Sequence, residues 1–169
     1  MSLVQRPSMT ACVALGSNLG DRAAHLRAAR HAIAALEGVH ILATSSMYES
    51  AAEGTDEPQP NYLNAVVALA TPRDVHDLWR ELFRLESQLG RTRPAGQRNA
   101  SRTIDIDLLS YGDQAVTTEH LILPHPRLFS RPFVVIPLLE IGIEQINGCA
   151  LRDLPSADPK RVTRVGEIW

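Results

Sequence analysis

Residues 102–109 read R-T-I-D-I-D-L-L, and no other run constrains the fold so tightly. Ile104, Ile106 and Leu108 alternate with Asp105 and Asp107, and period-two alternation is strand patterning. Successive side chains of a strand point to opposite faces. The three aliphatics therefore share one face and the two carboxylates the other, ~6.6 Å apart along the chain. Like charges at that spacing shift each other's pKa unless something positive stands between them. Two readings stay open at this point. One is a half-buried strand with a solvated outer face. The other is a pair of oxygen ligands for a hard divalent cation, Mg²⁺, Mn²⁺ or Ca²⁺.

The segment before this strand favours the second reading. Arg91, Arg93, Arg98 and Arg102 fall in residues 91–102. The chain has 17 basic residues of which only Lys160 is lysine, so arginine at any single position carries little information. A local crowding of four still exceeds that bias. Guanidinium groups suit polyanionic oxygen and paired aspartates suit Mg²⁺; a nucleoside triphosphate with its metal satisfies both. Simple Arg–Asp pairing across a surface would contribute only ~0–1 kcal/mol per pair. A second basic group, P-H-P-R-L-F-S-R at residues 124–131, adds His125, Arg127 and Arg131. A lone His beside prolines reads as loop packing, and the arginines two and six residues on make His125 a candidate donor to phosphate. Tyr62 and Asn64, two apart on one strand, offer a ring and a carboxamide for a flat heterocycle. Edge packing and loop anchoring account for them equally well.

Periodicity orders the elements as β-α-β-β-α-β. Residues 11–16 read as a buried strand, followed by a turn through S-N-L-G and an N-cap at Asp21. Residues 22–37 read as a helix with Leu26, Ala29, Ile33 and Leu36 on one stripe, closed by Gly38. Residues 39–50 are β-rich, 51–60 an irregular loop and 62–70 a strand. Thr71-Pro72 with Asp74 predicts an N-cap, a proline at N1 and an acid at N3. The helix that follows carries Val75, Leu78, Leu82, Leu85 and Leu89 and ends at Gly90. This order predicts an α+β, ferredoxin-like βαββαβ antiparallel sheet, with helices packed on one face and a C-terminal extension. The proline-punctuated extension predicts a short helix over residues 133–139.

Composition narrows the classes. At 169 residues the chain is expected to be one domain, with 44% hydrophobic and 21% charged residues. A formal net charge of −2 and 5% aromatic content disfavour nucleic-acid binding and an RNA-binding module in particular. Cys12 and Cys149 lie far apart with apolar neighbours, the pattern of reduced, buried thiols in a cytoplasmic protein. Residues 1–10 carry no apolar signal region, and no apolar run reaches membrane-span length. No Walker A sequence and no protein-kinase signature set is present, so phosphate binding here relies on arginine and metal. G-S-N-L-G could form a phosphate nest or only a tight turn. A D-x-D site on sugar nucleotides, as in glycosyltransferases, would need a larger domain. A non-enzymatic ferredoxin-like ligand-binding module is the further alternative.

Taken in order, five motifs resemble those of the 6-hydroxymethyl-7,8-dihydropterin pyrophosphokinases of folate biosynthesis. They are A-L-G-S-N-L-G-D-R from Ala14, Q-P-N-Y-L-N-A at 59–65, G-R-T-R at 90–93, R-N-A-S-R-T-I-D-I-D-L-L at 98–109 and L-P-H-P-R at 123–127; P-L-L-E-I follows at 137–141. The resemblance implies transfer of pyrophosphate from ATP to the pterin hydroxymethyl group with release of AMP. It implies that Asp105 and Asp107 hold two Mg²⁺ ions, and that Arg91, Arg93 and Arg102 clamp phosphates opposite His125 and Arg131. Arg91 and Arg102, with the two aspartates, are the implied catalytic set, and Glu86 an implied nucleotide contact. The pterin is expected between Tyr62 and Phe133, its edge read by Asn64, with Ser50, Ala51 and Glu53 completing the pocket. A monomer is expected. Asn99, His120 and Pro126 depart from residues seen in some relatives, which implies variation in ATP contacts.

Overall fold

The structure, a computed structural model, describes residues 6–55, 57–90, 95–96, 100–167 and 169. Its centre is β1 (Met9–Ser17), which pairs antiparallel with β4 (Tyr62–Thr71) on one side and β5 (Asp105–Tyr111) on the other. On its far side β4 carries β2 (His40–Thr44) and β3 (Met47–Ser50) end to end. With α1 (Arg22–Ala34) and α2 (Val75–Gln88) in the crossovers, this is the predicted ferredoxin-like order.

Strand alternation divides the interior into two cores. Val13 and Leu15 of β1, Ala65 and Val67 of β4, and Ile104, Ile106 and Leu108 face α1 and α2. They pack on Leu26, Ala29 and Ile33 of α1 and on Val75, Leu78, Leu82 and Leu85 of α2. Burying each such aliphatic side chain contributes about 1.5–3 kcal/mol. Cys12, Val66, Ala68 and Leu109 point the other way, onto α3 (Pro132–Glu140). Helices therefore cover both faces: the two crossover helices lie on one, as predicted, and the helix of the extension lies on the other. Apart from its last residue, Glu140, α3 is apolar, which suits a place enclosed by sheet and C-terminal turns. Of two short hairpins, β8 (Gln145–Ile146) with β9 (Cys149–Ala150) adds Ile146 to this core, while β6 (Val116–Thr117) with β7 (Ile122–Leu123) packs Leu123 and Val116 on the α1–α2 side.

Several local expectations change. α1 stops at Ala34, and Leu36 packs on the core from beyond the helix. Asp21 caps it through the Ala24 N–H at 3.0 Å, as predicted. The cap of α2 is Asp74, which accepts from the His76 N–H at 2.9 Å. Thr71 instead ends β4, so the sequence reading set the helix start too early. Residues 39–50 are two strands because Ser45 and Ser46 interrupt the ladder. The Ser45 hydroxyl, in place of a backbone carbonyl, accepts from the Val66 N–H at 2.9 Å. Cys149 is only half-buried; both thiols are free.

That break is closed from the C-terminal end. β10 (Thr163–Gly166) pairs with β3, and the Trp169 indole N–H donates to the Ser45 carbonyl at 2.7 Å. At the end of α3, the Glu140 carboxylate accepts from the Ser46 N–H at 2.9 Å, from the Ser46 hydroxyl and from the Tyr48 hydroxyl at 3.0 Å. Burial and the Glu140 carboxylate push the Tyr48 phenol up to about 12. Removing the acceptor strands three donors at a buried seam. Glu140→Leu is expected to lower unfolding free energy by about 2–4 kcal/mol, read by urea denaturation; a loss below the error of the fit would show that the seam holds without it.

Candidate active site

β1 reaches the site at Gly16, which lies opposite Asn64 of β4 and opposite Asp105 of β5. A Cβ built on Gly16 would lie 3.4 Å from Asn64 Oδ1, 3.6 Å from the Tyr62 ring and 3.9 Å from Asp105 Cβ. These are ordinary van der Waals distances and the backbone is ordinary extended strand, so what the glycine supplies is open space, not relief of a clash. Its missing side chain leaves an open floor between a ring-and-carboxamide wall and a carboxylate wall.

The cleft above this floor encloses about 750 Å³, including space open to solvent. Ser50, Ala51, Glu53, Tyr62, Asn64 and Phe133 line one part of it. Arg102, Asp105, Asp107 and Arg131 line another. Ten of the fourteen site residues singled out from the sequence thus meet in one cavity. Arg91 and Arg93 lie outside the described residues. Glu86 and His125 are described but do not form its wall.

Each wall is held by identifiable bonds. Asn64 is buried, and its carboxamide N–H₂ donates to Ser50 Oγ at 2.9 Å and to the Tyr48 carbonyl at 3.3 Å. Its Oδ1 is thereby turned toward Gly16. The loop over residues 51–61 is stapled at its ends. Arg22 donates to the Asn61 carbonyl at 2.8 Å and to Glu49 at 3.2 Å, while Asn61 donates to Glu49 at 3.0 Å. The Asn61 hydrogen bond and then the Arg22 cation hold the Glu49 carboxyl below its ordinary range. Phe133 is presented by the first turn of α3, with the Arg131 guanidinium 5.4 Å from its ring centroid.

On the other wall, Arg102 Nη1 donates to Asp105 Oδ2 at 3.1 Å, with both side chains largely shielded. Between the two aspartates, the Ile106 N–H points off the sheet edge and donates to Glu86 Oε2 at 2.8 Å. Glu86 is only 3% exposed and fixes the strand from behind. The β1–β5 register slips at Cys12/Val13, leaving Leu109 as a bulge. Its carbonyl accepts the His125 N–H at 2.8 Å, which docks the basic loop beside the aspartates. The His125 Nδ1 accepts from the Arg127 N–H at 3.2 Å. Burial, then Arg131, push the imidazole down to about 4, against the pull of Asp105. At neutral pH it is uncharged and its proton resides on Nε2.

Among the described residues no three His, Cys, Asp or Glu side chains cluster as metal ligands. Two carboxylates on one strand face form an all-oxygen donor pair. That suits Mg²⁺, which takes one or two carboxylates plus substrate phosphates and water. G-S-N-L-G is not an open nest at Asn18, whose N–H is already donated to the Arg102 carbonyl. Sequence reasoning overlooked Gly16 and Asn18, and it put Arg127 with the basic group without assigning it a site. The one available signal for them was position, at the exit of the first strand and two residues past His125.

A family model described as 7,8-dihydro-6-hydroxymethylpterin-pyrophosphokinase matches residues 12–143. The chain belongs to that family. A 2-amino-4-hydroxy-6-hydroxymethyldihydropteridine pyrophosphokinase of Haemophilus influenzae is 40% identical over 138 residues, 82% of this chain and 84% of that one. One from Methylorubrum extorquens is 40% identical over 157 residues, 92% of this chain and 98% of that one. A solved Plasmodium falciparum HPPK-DHPS with pteroate shares the fold at a TM-score of 0.66 and 14% identity. The match covers 86% of this chain but only 41% of that longer one.

This geometry makes two predictions. His125 binds fewer protons folded than unfolded between about pH 4 and its ordinary 6.5. Its contribution to stability is therefore complete above 6.5 and lost as pH falls toward 4. Denaturation across that window should show a slope that His125→Gln flattens; an unchanged slope would contradict the buried neutral imidazole. Gly16→Val should fill the floor and weaken pterin binding by about tenfold or more, read by calorimetry; unaltered affinity would show that the floor is not used.

Proposed function

We propose that this cleft aligns the two substrates for pyrophosphoryl transfer, with the Asp–Arg wall taking ATP and the Tyr62–Asn64–Phe133 wall taking the pterin. The activity itself follows from family membership: the chain transfers pyrophosphate from ATP to the hydroxymethyl group of 6-hydroxymethyl-7,8-dihydropterin in folate biosynthesis. The observation that carries the alignment is the placement of Gly16, with Asn64 and Asp105 directly opposite it on either side.

In the transfer, the hydroxymethyl oxygen forms a bond to the β-phosphorus. The bridging bond to the α-phosphate breaks, AMP departs, and the hydroxyl proton is lost to solvent. Asp105 and Asp107 are the proposed ligands of two Mg²⁺ ions. Bound there with ATP, Mg²⁺ neutralises phosphate charge and aligns attacking and leaving oxygens. Arg102, already 3.1 Å from Asp105, is set to turn its guanidinium onto phosphate oxygen when the carboxylate is otherwise engaged. Arg131 supplies a second cation, and neutral His125 a donor at Nε2. Arg91 and Arg93 are proposed as further phosphate clamps. Glu86 is assigned to the nucleotide side, acting through the strand edge it holds.

Tyr62 and Phe133 are proposed to sandwich the pterin ring while Asn64 Oδ1 accepts from its edge. Ser50, Ala51 and Glu53 close that end. Little covalent work falls to the protein; holding the reactants in line and balancing charge should carry the rate. We further propose a single-domain monomer working in the cytoplasm. Its free thiols support that reading, and no helix among the described residues is long and apolar enough to cross a membrane.

Purified protein should form AMP from ATP only with both Mg²⁺ and the reduced hydroxymethylpterin present. ADP as product would contradict the reaction. Asp105→Asn and Asp107→Asn should each lower turnover on the order of 10²-fold or more with the fold intact by circular dichroism. Near-wild-type rates in both would remove them from the metal site.

A further inference from the structure

Asn18 sits in the turn after β1, is 1% exposed, and does not line the cleft. Its backbone N–H donates to the Arg102 carbonyl at 3.1 Å, and its Oδ1 accepts the Arg102 N–H at 2.8 Å. These two bonds close a ring that fixes the Arg102 backbone, 84 residues away in sequence. The carboxamide Nδ2 of the same side chain faces the other loop. It donates to the Pro60 carbonyl and to Gln59 Oε1, each at 3.2 Å, with Ser101 Oγ at 3.5 Å.

One side chain thus ties three chain segments: the exit of β1, the start of the aspartate strand and the lead-in to Tyr62. A carboxamide has both the oxygen acceptor and the two N–H donors that this requires. Aspartate keeps only the acceptor, and serine is too short to reach both loops. Arg102 donates to Asp105 at 3.1 Å, while Tyr62 and Asn64 are two and four residues beyond Pro60. A displacement at Asn18 is therefore passed to both walls of the cleft.

We propose that Asn18 is a positioning residue for the pyrophosphoryl transfer, holding the Arg102 wall with its oxygen and the heterocycle wall with its nitrogen. The assignment rests on the pyrophosphokinase reading above. The two ends of the carboxamide act separately. Loss of the nitrogen end loosens residues 59–62 and weakens pterin binding. Loss of the oxygen end lets Arg102 drift, and shifts of about 1 Å at such groups cost turnover on the order of 10²-fold.

Three variants separate these effects in steady-state kinetics, with rates corrected for folded fraction. Asn18→Asp keeps an acceptor for the Arg102 N–H and should raise the pterin KM about tenfold with kcat within about threefold. Asn18→Ala loses both ends and should lower kcat by about tenfold or more as well. Gln59→Ala, at a half-buried position, should move the pterin KM in the same direction as Asn18→Asp. Amide hydrogen exchange supplies a readout independent of turnover. Protection of the Arg102 amide should survive Asn18→Asp and vanish in Asn18→Ala. Unchanged pterin KM in both Asn18→Asp and Gln59→Ala, or a fully protected Arg102 amide in Asn18→Ala, would overturn the proposal. If Asn18→Ala fails to fold, Asn18→Asp and Gln59→Ala still decide it through KM. A wild-type protein that forms no AMP would instead sink the pyrophosphokinase reading, while the exchange measurement still decides whether Asn18 holds Arg102.

Discussion

Gly16 has Asn64 on one side and Asp105 on the other because β1 pairs antiparallel with β4 and β5. The functional groups of the cleft follow from that pairing. A strand slipped by one residue would turn Asp105 and Asp107 into the core beneath α2 and expose Ile106. The aliphatic face of β5, packed against Leu78, Leu82 and Leu85, fixes the register, and the register fixes where the carboxylates point. The chemistry is thus held in place by burial on the opposite face of the same strand.

Charge in the cleft is balanced locally. Asp105 and Asp107 share the cleft with Arg102 and Arg131, and His125 beside it is kept neutral by burial and by the repulsion of Arg131 and Arg127. An extra positive charge at that point would compete for the carboxylates. A neutral Nε2 donor can bind phosphate oxygen without doing so. The cation–π contact of Arg131 with Phe133 links this wall to the Tyr62–Asn64–Phe133 wall, since both residues lie at the start of α3.

Much of this was legible in the sequence because it is periodic or local. The alternation at 104–108, the Leu stripe of α2, the Asp21 cap and the arginine crowding all show within a few residues. The break at Ser45–Ser46 was not visible, because two serines in a β-rich run carry no breaking signal. Only the partners of the seam, Glu140, Arg164 and Trp169, give them that role, and these lie about a hundred residues further on. Asn18 was hidden for the same reason: a turn asparagine is ordinary until its contacts at Pro60 and Arg102 are known. The ten cleft-lining residues were picked out through motif order, which preserves the spacing that the sheet turns into proximity.

The central claim is that Asp105 and Asp107 hold the metal together with the nucleotide. Titration of the full chain with Mn²⁺ in the presence of α,β-methylene-ATP, followed by electron paramagnetic resonance, tests it most directly. Wild-type protein is predicted to bind two ions per chain, and Asp107→Asn to lose at least one while still folded. Equal stoichiometry and affinity in the two proteins would contradict it.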